Sequence, residues 1–170
     1  MKHLVTGGGG FLGSHIARRL ASGGSAVRLM DIREPRSPGP GTEFIRASIL
    51  DRNSVREALR GVDVVHHTAS LVPVTKAGGN FFEVNVTGSR ILAEEAVRAG
   101  VRCFVHMSST AVFGAPERVP LEEDSPMRPV EIFGRTKMEG EAVVGDICRR
   151  NGVPLIVLRP RTVLGKGRMG

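Results

Sequence analysis

The chain contains no tyrosine and no tryptophan; apart from five histidines, its rings are seven phenylalanines. No phenol is therefore available to take up or release a proton. The large stacking rings that single-strand nucleic-acid binders interleave with basic residues are also missing. Cysteine is scarce. Cys103 and Cys148 lie far apart and read as small apolar residues rather than a disulfide framework or a metal site. That usage fits a reducing compartment, and a cytoplasmic location is expected. No apolar run is long enough to span a bilayer, and Met1 leads straight into an apolar strand, so neither a membrane segment nor a leader peptide is expected. Internal repeats and low-complexity tracts are absent as well.

What is present is an ordinary globular composition. The 170 residues are 41% hydrophobic and 24% charged, which suits one domain with a good core. The formal net charge is +7. Arg18, Arg19, Arg46, Arg56, Arg98, Arg128 and Arg150 are dispersed along the chain, so the charge reads as a solvated basic surface that attracts anionic nucleotides, not as a nucleic-acid site.

The most informative stretch is Thr6-Gly-Gly-Gly-Gly-Phe-Leu-Gly13. A short apolar strand, Lys2 to Thr6, runs into glycines, and the glycines run into a helix from Phe11 to about Ala21. Gly7, Gly10 and Gly13 form G-x-x-G-x-x-G, a close variant of the dinucleotide fingerprint. Glycine is expected there so that the backbone can turn tightly off the strand, so that a pyrophosphate can approach N–H groups without meeting a side chain and, at Gly13, so that the helix packs closely on the strand. The helix that follows offers its N-terminal dipole and free N–H groups to the phosphates. Asp31 follows eighteen residues after Gly13, at the end of a second strand, Ala26 to Asp31. A carboxylate there accepts hydrogen bonds from both ribose hydroxyls and repels a 2′-phosphate. NAD is therefore preferred over NADP, although the nearby Arg33 could hold such a phosphate.

Strand and helix patterns then alternate. Strands are expected over Glu43 to Ala47, Val62 to His66, Val101 to Met107 and Val153 to Leu158. Helices are expected from Asp51, as N-cap or first-turn acid, through Leu59, over Asn80 to Ala99, and over Ile132 to Arg150. Proline-rich Glu34 to Thr42, Val74 to Gly79 and the long Phe113 to Glu131 read as loops, and the length of the last hints at function. This order implies an α/β fold: a doubly wound parallel sheet of about six strands in the order 3-2-1-4-5-6, with helices on both faces. Ligands bind such sheets at the carboxyl ends of the strands. The unusual residues gather there: Gly7 to Gly10, Asp31, His67 to Ser70, Ser108 to Thr110 and Arg159 to Arg161. His3, His15, His66 and His106 read as partly buried structural histidines, and His67, placed just after its strand, as packing or lining the cofactor.

Taken together, several segments carry a resemblance. They are the glycine stretch, Asp31, His67-Thr-Ala-Ser70, Asn85-Val-Thr-Gly88, Ser108-Ser-Thr-Ala-Val-Phe-Gly114, Phe133-Gly-Arg-Thr-Lys137 and Leu158-Arg-Pro-Arg161. In this order the chain resembles the extended short-chain dehydrogenase/reductases, specifically the NAD-dependent epimerase/dehydratase group with its Rossmann fold. The resemblance implies that Gly7, Gly10 and Gly13, with the backbone of Phe11 and Leu12, hold the pyrophosphate. It implies that Asp31, with Ile32 and Arg33 beside it, binds the adenosine ribose. Ser48 and Ile49 would lie at the adenine, Ser48 standing where the family often has Asp. Ala69, Ser70 and Pro160 would line the cofactor, and Asn85 would be the structural asparagine of the long helix. Ser109 matches the hydroxyl that hydrogen-bonds the reacting oxygen. Lys137 matches the lysine that binds the nicotinamide ribose and lowers the pKa of a tyrosine.

That tyrosine is replaced by Phe133, and the tyrosine common in the preceding V-Y-G stretch is replaced by Phe113. Phenylalanine keeps the ring and has no proton to move. Residues 1–170 match the nucleotide-binding part of extended members; the C-terminal substrate domain of the family is not expected within them. The reading is an NAD-binding epimerase/dehydratase-like protein, with a sugar nucleotide or related hydroxyl compound as substrate and weak or no turnover. The alternatives are a non-catalytic NAD-binding or regulatory module and a steroid- or flavonoid-type alcohol reductase, the latter suggested by His67-Thr-Ala-Ser-Leu-Val-Pro73. Arg159, Arg161, Lys166 and Arg168 could meet a substrate diphosphate. In family members the helices 80–99 and 131–150 would pair across a homodimer; no metal, membrane or nucleic acid is implied.

Overall fold

A computed structural model describes residues 1–73, 80–116, 118–165 and 168. The expected loop 74–79 and Lys166 lie outside the described residues. Six strands alternate with the helices: β1 (Lys2–Thr6), α1 (Phe11–Ser22), β2 (Ala26–Asp31), β3 (Glu43–Arg46), α2 (Arg52–Ala58), β4 (Val64–His67), α3 (Ser89–Arg98), β5 (Cys103–Met107), α4 (Ile132–Arg150) and β6 (Leu155–Leu158). All pairings are parallel and the order is β3-β2-β1-β4-β5-β6, as the alternation implied. The order reverses between β1 and β4, so a crevice opens at the carboxyl ends of those two strands.

Side-chain alternation along the strands divides the core in two. Leu4, Met30, Val65 and Phe104 point to one face. There they pack with Val55, Ala58 and Leu59 around α2, Ile91, Leu92 and Ala96 of α3, and Val144 and Cys148 of α4. Val5, Val27 and Leu29 point to the other face, where Ala17, Ile16 and Leu20 of α1 cover them. Each helix presents an apolar stripe at 3.6-residue spacing, and its burial on the sheet supplies most of its stability. The α2 start is fixed by Asp51, whose carboxylate accepts the Asn53 and Ser54 N–H groups at 3.0 and 3.4 Å, the N-cap role expected from sequence.

Three expectations need correction. The strand Val62 to His66 is β4, Val64–His67, so His67 lies inside the sheet and is 2% exposed. Asp63 explains the late start: it precedes β4 and its carboxylate accepts the Lys2 backbone N–H at 2.7 Å. The helix expected over Asn80 to Ala99 is not uniform, because Glu83–Gly88 is wound as a π-helix before α3 begins. Its cause is local. Gly140 of α4 packs so closely on the Asn85 carbonyl that a Cβ would collide with it, and a Cβ on Gly88 would meet Ile49 Cδ1 at 2.6 Å. His15, finally, is exposed on α1, its Nδ1 2.8 Å from the Phe11 carbonyl oxygen, and not part of the core.

The arginines, scattered in sequence, are partly gathered in space. Glu95 is buried, and its carboxylate meets Arg52 at 2.7 Å, Arg56 at 3.0 Å and Arg98 at 2.6 Å, while Arg52 also reaches Glu94 at 2.7 Å. Three of these four ion pairs pin α2 to α3, and the fourth, Arg98 with Glu95, lies within α3. A buried carboxylate needs such partners to offset its desolvation.

Candidate functional site

The site is built where the β1 and β4 ends face each other. Gly7 leaves β1 with φ +71°, a backbone region open to glycine, and its N–H donates to the Met30 carbonyl at 2.8 Å. A Cβ on Gly7 would lie 2.7 Å from the Ala69 nitrogen; on Gly9 it would strike the Arg33 carbonyl, and on Gly13 the Gly7 carbonyl. Gly7 thus makes the tight turn off the strand and Gly13 the close helix packing expected of them, while Gly9 is held by the Arg33 carbonyl. Gly10 differs. A Cβ there would approach only the Gly7 oxygen, at 3.1 Å, and otherwise face open space. Gly10 is also the N-cap of α1, with no side-chain cap and no acid in the first turn. The N–H groups of Phe11, Leu12 and Gly13 have no carbonyl within the helix to bond, which leaves an anion-binding helix end.

Asp31, at the end of β2, accepts the Gly9 N–H at 3.0 Å and the Arg33 N–H at 2.9 Å. The carboxylate is thereby tied to the glycine loop. Gly9, which the G-x-x-G-x-x-G pattern passes over, is as constrained as the glycines it names; the signal was the unbroken run of four. Ile32 is 64% exposed next to Asp31, with Arg33 exposed beside it. The Ser48 hydroxyl accepts the Leu50 N–H at 3.2 Å. Ile49 is buried against Gly88, so only its backbone is free for an adenine.

Across the crevice, Ala69 and Ser70 follow β4. Asn85, 3% exposed in the π-helical stretch, uses its whole amide. Its Oδ1 accepts the Leu71 N–H at 2.8 Å and the Ser70 hydroxyl at 3.0 Å; its Nδ2 donates to the Leu71 carbonyl at 3.2 Å and to Thr136 Oγ1 at 3.0 Å. Thr136 was not singled out from sequence, and no local signal marks it, since its partner lies 51 residues away.

Ser109, two residues after β5, caps the turn Thr110–Phe113, its Oγ accepting the Ala111 N–H at 3.2 Å. The first turn of α4 closes on this turn, because Gly134 lets the helix sit on the Ala111 carbonyl. Phe133, half-buried, and Lys137 are one turn apart on that helix and share a face. Lys137 is 6% exposed and its ammonium donates to the Met107 carbonyl. Burial lowers its pKa to about 8, against the opposing pull of Glu141. The buried His106 lies nearby with its pKa pushed well below the ordinary value by burial, then by His67 and Lys137; its ring nitrogens and Ser108 Oγ have no hydrogen-bond partner among the described residues.

Pro160 follows β6, and its carbonyl accepts the Thr110 N–H at 3.2 Å. It lines a cavity of about 400 Å³ with Leu12, Met107, Leu158 and Val163, next to the α1 N-terminus. Arg159 also lines this cavity, while its guanidinium is engaged elsewhere. Its guanidinium pairs with both Glu141 oxygens, donates to the Glu123 carbonyl at 2.9 Å and lies over the Phe113 ring at 5.4 Å. It therefore clamps the loop after β5, which encloses a second cavity of about 500 Å³. Arg161 is exposed. Among the described residues no group of three or more His, Cys, Asp or Glu side chains could hold a metal, and no helix is long and apolar enough to cross a membrane.

Against known proteins, the model of the NAD dependent epimerase/dehydratase family matches residues 3–170. The chain belongs to that family. This epimerase/dehydratase family member is 42% identical over 167 residues to the uncharacterised protein y4nG of Sinorhizobium fredii, across 98% of this chain and 42% of the relative. It is 34% identical over 178 residues to the UDP-glucose 4-epimerase of Lactobacillus helveticus, across all of this chain and 54% of the relative. A solved structure of a short-chain dehydrogenase/reductase superfamily protein from Agrobacterium tumefaciens with bound NAD superposes with a TM-score of 0.86 at 34% identity, covering 94% of this chain and 48% of that one. This family member spans about half the length of the curated relatives it matches.

Proposed function

We propose that this epimerase/dehydratase family member binds NAD across the crevice and that, with phenylalanine at position 133, it turns substrate over weakly or not at all. The observation that carries the reading is the α4 face: Lys137 buried at the end of β5, Ser109 on the adjoining turn, and a phenyl ring one turn before the lysine. The cradle suits a dinucleotide. The α1 N-terminus and the open flank of Gly10 receive the pyrophosphate, Asp31 accepts from the adenosine ribose and repels a 2′-phosphate, and Ala69, Ser70 and Pro160 line the remainder. When bound, NAD supplies a hydride acceptor. Lys137 holds the nicotinamide ribose, and Ser109 donates a hydrogen bond to the reacting oxygen. Neither phenyl ring at this edge, Phe113 or Phe133, can take the hydroxyl proton.

The substrate we propose is a sugar nucleotide, as in the UDP-glucose 4-epimerase to which the chain is similar. A non-catalytic NAD-binding role is the second reading, favoured by Phe133 itself; a steroid- or flavonoid-type alcohol is the alternative substrate. Calorimetric titration tests the binding: NAD is expected to bind at least tenfold more tightly than NADP, and equal affinities would remove Asp31 from its role. Phe133→Tyr tests the chemistry. Conversion of UDP-glucose to its 4-epimer, with NAD regenerated, or steroid-dependent absorbance of reduced NAD selects the substrate class, and tight NAD binding with neither selects the non-catalytic reading.

A further inference from the structure

His67 was expected to pack or to line the cofactor; it packs, against Phe104 and His106, and it also carries a polar link. Its ring lies between β1 and the π-helical stretch, 2% exposed, with both nitrogens engaged: Nδ1 is 2.8 Å from Thr6 Oγ1, and Nε2 is 2.8 Å from Ser89 Oγ. The direction of each bond follows from counting protons. The single Ser89 hydroxyl proton goes to the Asn85 carbonyl at 2.7 Å. Ser89 must then accept from His67, so Nε2 carries the proton. Burial holds the ring neutral, which leaves Nδ1 an acceptor, and Thr6 must donate to it. Thr6 Oγ1 in turn faces the Ala69 N–H at 3.4 Å. The ring is thus a one-way link between two polar groups, with no alternative tautomer that satisfies both.

The two ends of this link are functional ground. Thr6 precedes Gly7, and Ala69 is the residue on which Gly7 packs. At the other end, the carbonyl that Ser89 engages belongs to Asn85, whose amide holds Ser70, Leu71 and Thr136, the neighbour of Lys137. π-Turns leave carbonyls off the regular i to i−4 ladder, and here the freed Asn85 oxygen is met by Ser89 and covered by Gly140.

We infer that His67 is a positioning residue for the NAD site: as the Nε2–H tautomer it fixes the π-turn through Ser89, and the turn sets Asn85, the cofactor-lining Ser70 with Leu71 after it, and the helix turn that carries Lys137. The role of Lys137 in this inference rests on the reading of the chain as an NAD binder. His67 touches neither NAD nor substrate; it acts through Ser89 and Asn85.

The two sides of the ring can be cut separately. His67→Gln keeps a donor near the Nε2 position for Ser89 and loses the acceptor for Thr6. His67→Asn keeps an acceptor near Nδ1 and loses the donor to Ser89. Ser89→Ala removes the same link from the far side. The readouts are NAD affinity by calorimetry and the titration midpoint of Lys137, followed by NMR of the side-chain resonance in the NAD-free protein. The groups that bear on that midpoint are His67 of β4, His106 of β5 and Glu141 of α4.

His67→Asn and Ser89→Ala are expected to weaken NAD binding about tenfold and to raise the Lys137 midpoint by about one pH unit as the turn loosens and water reaches the ammonium, the scale of one lost buried hydrogen bond. His67→Gln is expected to stay within about twofold of wild type. A ring that merely fills the core would make the Gln and Asn variants equal in both readouts, and that result overturns the inference. So does an unmoved Lys137 in folded Ser89→Ala, which also decides the matter where His67→Asn does not fold. If the wild-type chain fails to bind NAD, the proposed function falls, while the Lys137 midpoints still test the positioning role.

Discussion

The two sides of the crevice are made in different ways. On the β1–β2 side, backbone does the work: four consecutive glycines, a helix end and one carboxylate, all within residues 6–33. On the β4–β5 side the work falls to side chains from distant parts of the chain, with Thr6 meeting His67 and Asn85 meeting Thr136 across 61 and 51 residues. The first kind of site tolerates almost no added atom. The second tolerates some atoms and fails when one donor loses its acceptor. The contrast can be broken or sharpened by substitution.

The largest effect is expected on the glycine side. Gly9→Ala drives a methyl group into the Arg33 carbonyl and displaces the N–H that Asp31 accepts. A clash of about 3 kcal/mol should cost about a hundredfold in NAD affinity, measured by calorimetry. Affinity within threefold of wild type would show that the loop can give. Next comes Asn85→Ala, which strips four hydrogen bonds from a buried amide and leaves the Leu71 N–H without its acceptor. A loss of about 2–4 kcal/mol in urea unfolding is expected. A change below about 0.5 kcal/mol, the size of an ordinary surface substitution, would mean that the turn holds without the amide.

A smaller effect concerns acid. Burial lowers the pKa of His66 to about 4 and that of His67 to about 3, while His106 also lies well below the usual value. The unfolded chain therefore binds more protons than the folded one below about pH 6.5, and stability must fall as pH falls from there toward 4. Lys137 acts at the other end. With a folded pKa of about 8 against 10.5 unfolded, its burial as a cation opposes folding at neutral pH, and the penalty is relieved as pH rises through that window. Urea midpoints across pH 4–7 check the first statement; a flat profile would place these rings in water. The smallest expected change is Asp31→Asn, which keeps an acceptor for Gly9 while removing the charge. It should narrow the preference for NAD over NADP by about tenfold, read as the ratio of the two dissociation constants.

The same contrast explains what the sequence made legible. The strand order and the glycine cradle could be read because their causes are local: apolar alternation, a strand running into glycines, an acid at a fixed interval. The spacing of Phe133 and Lys137 put both on one helix face without any knowledge of what lies opposite. The π-turn could not be read, because it is caused by Gly140 and Ile49 pressing on the helix from elsewhere in the chain. His67 was placed just outside its strand for a related reason. Two adjacent histidines look like a strand end, and only the pairing of Thr6 with His67 across β1 and β4 shows the second to be interior. The gathering of Arg52, Arg56 and Arg98 on Glu95 is equally invisible in a one-dimensional reading of charge.

Among the described residues, three helices pack on one face of the sheet and α1 on the other, and β6 is an edge strand. Ile156 and Leu158 stand on it 49% and 45% exposed, and among the described residues no strand pairs with its outer backbone groups. In a chain of residues 1–170 such an edge can pair with a second copy, and the net charge of +7 opposes that approach. Ordinary buffer salt then acts as a trigger: as the Debye length shrinks from about 30 Å at 0.01 M to about 8 Å at 0.15 M, the repulsion is screened and the apolar edge is not. Light scattering should rise with sodium chloride, and Ile156→Lys should abolish the rise.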